Sequence, residues 1–193
     1  MNGPRVVALG GGHGLAASLA ALRLVTDRVT AVVTVADDGG SSGRLRDEFN
    51  VLPPGDLRMA LAALCDDRPW GQIWRDVLQH RFGGDGPLGG HAMGNLLIVA
   101  LWDQLGDTVA GLDLVARLLD SRGRVLPMAG EPLEIEADVV GADPDRPDDV
   151  SVVCGQHRVA STRGRVSSIR LRPAHPQPCP EALAAIDDAD WVL

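Results

Sequence analysis

Residues 6–43 read VVALGGGHGLAASLAALRLVTDRVTAVVTVADDGGSSG. An apolar run, Val6 to Leu9, meets the glycine turn Gly10-Gly11-Gly12-His13-Gly14, and Leu15, Leu19 and Leu22 follow at the spacing of one helical face. A second β-prone run, Thr30 to Ala36, comes next. Strand, glycine turn, helix and strand make a βαβ opening. It predicts an α/β fold with an open, mostly parallel sheet and helices on both faces.

Both ends of this unit are built for a ligand. Successive glycines let backbone amides approach a phosphate, and the positive end of the helix beginning near Gly14 adds to the attraction. His13 lies inside that turn and faces either a phosphate or solvent. The second run ends in Asp37-Asp38-Gly39-Gly40-Ser41-Ser42-Gly43. Two carboxylates that close a buried strand carry a desolvation cost unless they meet a ribose, a metal or water, and the glycines keep that place open. In an open α/β sheet the carboxyl end of the strands is where ligands bind. The turn is not a P-loop: that fingerprint needs a lysine, and all 18 basic residues are arginine.

Composition narrows the rest. A chain of 193 residues with 45% hydrophobic content has the size and core of one domain, 1–193. A net charge of −8 and 3% aromatics argue against nucleic-acid binding. No apolar run reaches the length of a membrane span and no signal segment precedes the first strand, so a cytoplasmic location is expected. Cys65, Cys154 and Cys179 are far apart, odd in number and not in a metal-ligand spacing, which argues against both a disulfide framework and a structural zinc and favours reduced, buried or incidental thiols.

Downstream, Arg44 to Phe49 predicts a polar helical turn. Leu52-Pro53-Pro54-Gly55-Asp56 then sets Asp56 as N-cap of a helix over Leu57 to Cys65, whose Leu57, Leu61 and Leu64 form a stripe. Asp56 could also face the same ligand as Asp37 and Asp38. Trp70 to Phe82 reads as a helix. Gly89-Gly90-His91-Ala92-Met93-Gly94-Asn95 runs into Leu96 to Leu105, apolar nearly all round and expected to be buried. At its mouth His91 and Asn95 serve either as capping and core groups or as ligand contacts. Thr108 to Asp120 is a packing helix, and Arg122 to Pro127 a short strand whose two arginines suit surface ion pairs. Leu133 to Val140, Val150 to Cys154 and Val166 to Leu171 form a β excursion over 132–172, separated by polar turns such as 142–149. A proline-rich connector, a helix over Glu181 to Asp188 and a strand opening at Trp191 follow. That last strand lacks the loop at its carboxyl end, so a C-terminally truncated sheet is expected.

The strings GGGHGL, TVADDGGSSGRLR, LPPGDLR, GHAMGNL, RGRVLP and EPL, in that order, resemble the bacterial gluconeogenesis factor (YvcK-like) family, related to the 2-phospho-L-lactate transferase (CofD) family. The resemblance runs from residue 5 to Leu193. It implies a Rossmann-like fold binding a nucleotide-linked ligand: in the gluconeogenesis-factor branch a UDP-sugar such as UDP-N-acetylglucosamine, with roles in cell shape, peptidoglycan synthesis and growth on gluconeogenic carbon; in the transferase branch a guanosine-diphosphate-linked substrate with a divalent metal. Carried over, it puts Gly11, Gly12 and Gly14 against phosphate or sugar, and Asp37 and Asp38, with Gly39 and Gly40, at the ligand end of the second strand. Ser41 and Ser42 supply donors, Asp56 faces the cleft, and His91 and Asn95 close it. His13 stands where relatives often carry threonine, and the family's Gly-Pro-Gly-Ser turn after the strand at 191–193 is absent.

Three readings follow. The first is a regulatory UDP-sugar sensor, needing no cofactor, with partners in cell-wall synthesis. The second is a transferase with Asp37, Asp38 or Asp56 holding Mg²⁺. The third is a nicotinamide-dependent oxidoreductase, since Asp37 lies about 23 residues after Gly14, near the Rossmann acid's spacing; the first turn, however, is not G-x-G-x-x-G. Apolar helices make a homodimer an expectation.

Overall fold

The computed structural model describes residues 3–143 and 145–193. Its first unit is the expected one. Strand β1 (Val6–Gly10) passes through Gly11 into helix α1 (Gly12–Leu22) and returns as β2 (Val29–Val33). The strands pair in parallel, from Val6 beside Val29 to Gly10 beside Val33. Gly12, at φ +58°, takes the left-handed conformation that turns strand into helix, and glycine adopts it without the steric cost of a Cβ. β2 ends three residues sooner than its apolar run because its neighbour gives out: Gly10 is the last of β1. Val35 and Ala36 stay buried, and the Val35 carbonyl accepts instead from the Leu133 amide at 3.2 Å.

Five helices follow: α2 (Gly40–Phe49), α3 (Pro54–Leu64), α4 (Pro69–Gln79), α5 (Met93–Leu105) and α6 (Thr108–Leu118). After them come β3 (Arg124–Pro127), β4 (Glu134–Val140), β5 (Val150–Cys154), α7 (Gln156–Ser161), β6 (Arg165–Arg172), α8 (Pro180–Asp187) and β7 (Trp191–Val192). The main sheet has the order β3-β2-β1-β7 with every pair parallel. β5-β4-β6 form a separate antiparallel sheet, the expected excursion. Of the polar turn expected over 142–149, Pro144 lies outside the described residues.

Alternate residues of the main strands feed two cores. Ala8, Val29, Ala31, Val33 and Val125 pack under α1, α3, α5 and α6, where Leu19, Leu57, Leu61, Leu64, Ile98 and Leu112 are wholly buried. Val7, Val32 and Leu126 face the other way, onto Cys179, the N-cap of α8, and Ala182 within that helix. The leucine stripe of α3 is the centre of the larger core. Each such leucine contributes about 1.5–3 kcal/mol relative to exposure, which holds the first turn of α3 against the sheet edge.

Several expectations are corrected. Asp56 is not the N-cap of α3: Pro53 is, with Pro54 opening the helix and no side-chain cap. Two prolines already fix the entry backbone, which leaves the Asp56 carboxylate free for other work. α5 is not buried all round, for Ala100, Asp103, Gln104 and Leu105 are exposed. Its inward face, Asn95, Ile98, Val99 and Trp102, is the buried one. Arg122 and Arg124 do form ion pairs, with Asp66 and Asp113. All three cysteines are free, and burial pushes the Cys65 thiol up to about 11, well away from thiolate reactivity. Among the described residues no helix is long and apolar enough to cross a membrane.

Candidate functional site

At the carboxyl end of the main sheet, β2 leads through residues 34–36 to Asp37. There a cavity of about 270 Å³ opens, lined by Asp37, Gly39 to Ser42, Gly55, Asp56, Arg58, Met59, Arg81 and Asn95. It lies where an open parallel sheet takes its ligands. The expected loop over Gly40 to Gly43 is in fact the first turn of α2, with Gly39 as N-cap and Ser41 and Ser42 buried. The Asp37 carboxylate accepts from the Gly39 amide at 3.0 Å and so shapes the entry to that turn. Ser42 Oγ accepts from the Gly55 amide at 2.7 Å, which locks the first turn of α2 to that of α3. A Cβ at position 55 would run into the Ser42 hydroxyl and lie 3.2 Å from Asp37 Oδ2.

A buried line of hydrogen bonds crosses the floor. Ser41 Oγ receives the Asn95 Nδ2–H at 3.0 Å and lies 3.4 Å from the Ala92 amide. With both incoming groups donors, its own proton goes to His91 Nδ1, 3.0 Å away. This pattern assigns His91 the neutral tautomer with its proton on Nε2. Burial, and secondarily the charge of Arg44, holds the imidazole below its ordinary value, in keeping with that assignment. At the far end Asn95 Oδ1 accepts from Arg58 Nε at 2.9 Å. His91 therefore reaches the cavity only through Ser41, while Asn95 lines it directly.

Asp56 faces the turn after β1. A Cβ at position 11 would strike its carboxylate and the Thr34 methyl, so only glycine lets the two segments meet. Burial, and then the charge of Asp37, holds Asp56 above the usual carboxylate range; the Gly12 amide, Arg58 and His13 pull it partly back. The turn expected to cradle a phosphate thus already faces a carboxylate at Gly11 and Gly12, while His13 and Gly14 are exposed on the first turn of α1. Asp38 is turned away from the cavity. Its Oδ1 accepts from the His157 amide at 3.0 Å, at the start of α7, and a Cβ on Gly155 would strike the other oxygen. The structure accordingly brings Asp37 and Asp56 together and sends Asp38 to the β excursion. Among the described residues no three His, Cys, Asp or Glu side chains gather as a metal site.

Two arginines of the site, Arg58 and Arg81, are not evident as such from the sequence. Arg58, on α3, is only 4% exposed. Its stem lies on Gly94 of α5, where a Cβ would come within 2.8 Å of Arg58 Cδ. Its Nη1 is buried without a partner. Burial, and then the charge of Arg81, lowers it to about 10. The available signal was Gly94, a glycine inside an apolar helical run, which marks a close approach.

Known proteins resemble this chain over nearly its whole length. Residues 6–193 match the family described as 2-phospho-L-lactate transferase CofD. A Mycobacterium leprae protein carrying the gluconeogenesis-factor name is 55% identical over 190 residues, 98% of this chain and 53% of that one. The gluconeogenesis factor of Bacillus subtilis is 37% identical over 190 residues, 98% of this chain and 56% of that one. An X-ray structure of a Bacillus halodurans protein superposes with a TM-score of 0.88 at 35% identity, covering 99% of this chain and 58% of that one. The chain spans a little over half the length of the relatives it matches.

Proposed function

The chain belongs to the CofD family, that of 2-phospho-L-lactate transferase, and from this premise we propose that it is a nucleotide-sugar-binding regulatory protein of the gluconeogenesis-factor kind. The ligand class proposed is a UDP-sugar such as UDP-N-acetylglucosamine. The role proposed is cytoplasmic: support of cell shape and peptidoglycan synthesis on gluconeogenic carbon, through partners in cell-wall synthesis.

The observation that carries this reading is the cavity at the carboxyl edge of the sheet. It gathers the Asp37 and Asp56 carboxylates, the Ser41–Asn95 pair and the buried Arg58 guanidinium, from the segment before α2 and the opening turns of α2, α3 and α5. Carboxylates there suit the hydroxyl and amide donors of a sugar and its nucleoside, and arginine suits the diphosphate between them. Asp37, Ser41, Ser42, Asp56 and Asn95 are the contacts proposed, with Gly11, Gly12, His13 and Gly14 bordering them.

A second reading has one observation in its favour. Asp37 and Asp56 are close enough for the charge of one to raise the other, which is the state of a carboxylate pair that a cation relieves. Mg²⁺ is commonly held by one or two carboxylates together with substrate phosphates, so these two residues fit a transferase's metal. The oxidoreductase reading gains no support, since a dinucleotide would lay its pyrophosphate on the turn after β1, against the Asp56 carboxylate.

Calorimetric titration of UDP-N-acetylglucosamine, with GDP and NAD as competitors and with and without Mg²⁺, separates the readings. Metal-independent binding of the UDP-sugar, recovered intact, is the expected result. A guanine preference with a strict Mg²⁺ requirement would replace it by the transferase.

A further inference from the structure

The cleft does not end at the cavity of the proposed ligand. A second cavity of about 480 Å³ adjoins it, sharing Arg58, Met59 and Arg81 and adding His13 and Arg75 over an apolar floor that includes Ala62. Three arginines and a histidine line it and no carboxylate does, in a chain whose net charge is −8. The Asp56 carboxylate of the adjoining cavity acts on Arg58 and His13 but forms no ion pair with Arg58. Among the described residues neither Arg58 nor Arg81 has a carboxylate within 4.0 Å, and Arg75 has only its neighbour Asp76, at 3.9 Å. Arg81 Nη1 donates to the Gly90 carbonyl at 2.9 Å, which leaves its charge unpaired. Arg58, more than nine-tenths buried, carries a guanidinium nitrogen with no partner at all.

Like charges held together with too few paired carboxylates are a standing cost, and burial of one raises it. Guanidinium forks match the oxygen edges of a phosphate bidentately, and a dianion offsets more of three positive charges than a single carboxylate can. Arg58 is moreover positioned before any ligand arrives. Gly94 gives its stem a bed, and Asn95, itself fixed by Ser41, holds Nε.

We infer that this basic lobe, framed by His13, Arg58, Arg75 and Arg81, is a binding site for a phosphate-class dianion. It rests on the nucleotide-sugar reading only for which molecule carries the phosphate: the ligand's own diphosphate, reaching past Arg58 and Arg81, which line both cavities, or a separate phosphorylated compound.

The test is calorimetric titration of inorganic pyrophosphate into the full chain at low ionic strength, in wild type, Arg75→Gln and Arg81→Gln. Neither substituted side chain is buried, and circular dichroism checks that both variants fold. Saturable one-site binding, weakened tenfold or more by each substitution, is expected. Absence of saturable binding, or affinity unchanged in both variants, overturns the inference. Repeating the titration on protein saturated with UDP-N-acetylglucosamine separates the sources: exclusion of pyrophosphate assigns the lobe to the ligand's diphosphate, and retained binding assigns it to a second compound. If pyrophosphate binds while no UDP-sugar does, the nucleotide-sugar reading fails and the anion site stands.

Discussion

Replacing Asn95 by alanine tests the site at its most connected point. The side chain is 1% exposed, so water cannot take over its bonds. It accepts from the charged Arg58 at 2.9 Å and donates to Ser41 at 3.0 Å. A hydrogen bond to a charged group contributes about 1.5–3 kcal/mol and a neutral one about 1 kcal/mol, so Asn95→Ala should cost about 3 kcal/mol. At this chain length that corresponds to a fall of roughly 6–12 °C in Tm, within the stability of an ordinary domain, so the variant still folds. Thermal and urea denaturation read the loss, and a double-mutant cycle with Arg58→Met isolates the pair. A coupling of about 1.5–3 kcal/mol is expected. The same variant should bind UDP-N-acetylglucosamine more weakly, because Arg58 loses its anchor. If the cycle is additive within about 0.5 kcal/mol, Asn95 does not hold Arg58 and the positioning argument is refuted.

Asp56→Asn should raise Tm at neutral pH while weakening ligand binding. The carboxyl is held above its usual range by burial and Asp37, so its ionised form destabilises the fold, a cost relieved as pH falls through the folded value; a lower Tm for the variant would contradict this. His91 has the opposite pH profile. Its folded value lies below the ordinary 6.5, so from there downward the unfolded chain takes up a proton that the folded chain refuses. The stability present above that pH is lost as pH falls through the window. Urea midpoints compared at about pH 7.5 and about pH 5.5 should show a loss in wild type that His91→Asn reduces, and equal losses would sink the idea. Gly55→Ala should cost about 1–3 kcal/mol by overpacking against Ser42, read as a lower urea midpoint, and should break the Ser42–Gly55 bond that locks α2 to α3.

The opening βαβ unit and the antiparallel excursion were legible because periodicity and turn residues are local signals. So was the position of Asp37 and the glycines beside it at the carboxyl end of the sheet, since they follow an apolar β-prone run. What escaped the sequence was where each carboxylate points. Asp56 carries the local signature of a cap, yet Pro53 and Pro54 had already fixed that helix start, and its real neighbour, Gly11, is 45 positions away. Asp37 and Asp38 are adjacent and chemically alike. Successive side chains on an extended segment face opposite ways, which sends one to the cavity and the other to α7. Arg58 was hidden for a related reason: an arginine on an amphipathic helix ordinarily reaches solvent, and only the absence of a side chain at Gly94, on another helix, lets it lie inside.

That bed at Gly94 also has a meaning on the scale of descent. Ser41, Arg58, His91, Gly94 and Asn95 come from three segments of the chain, but each has its job only if the others keep theirs. A lineage that lost the arginine would leave Asn95 Oδ1 without its donor and remove one reason for glycine at 94. These positions should therefore have been inherited as a block, changing together where the anion to be bound has changed.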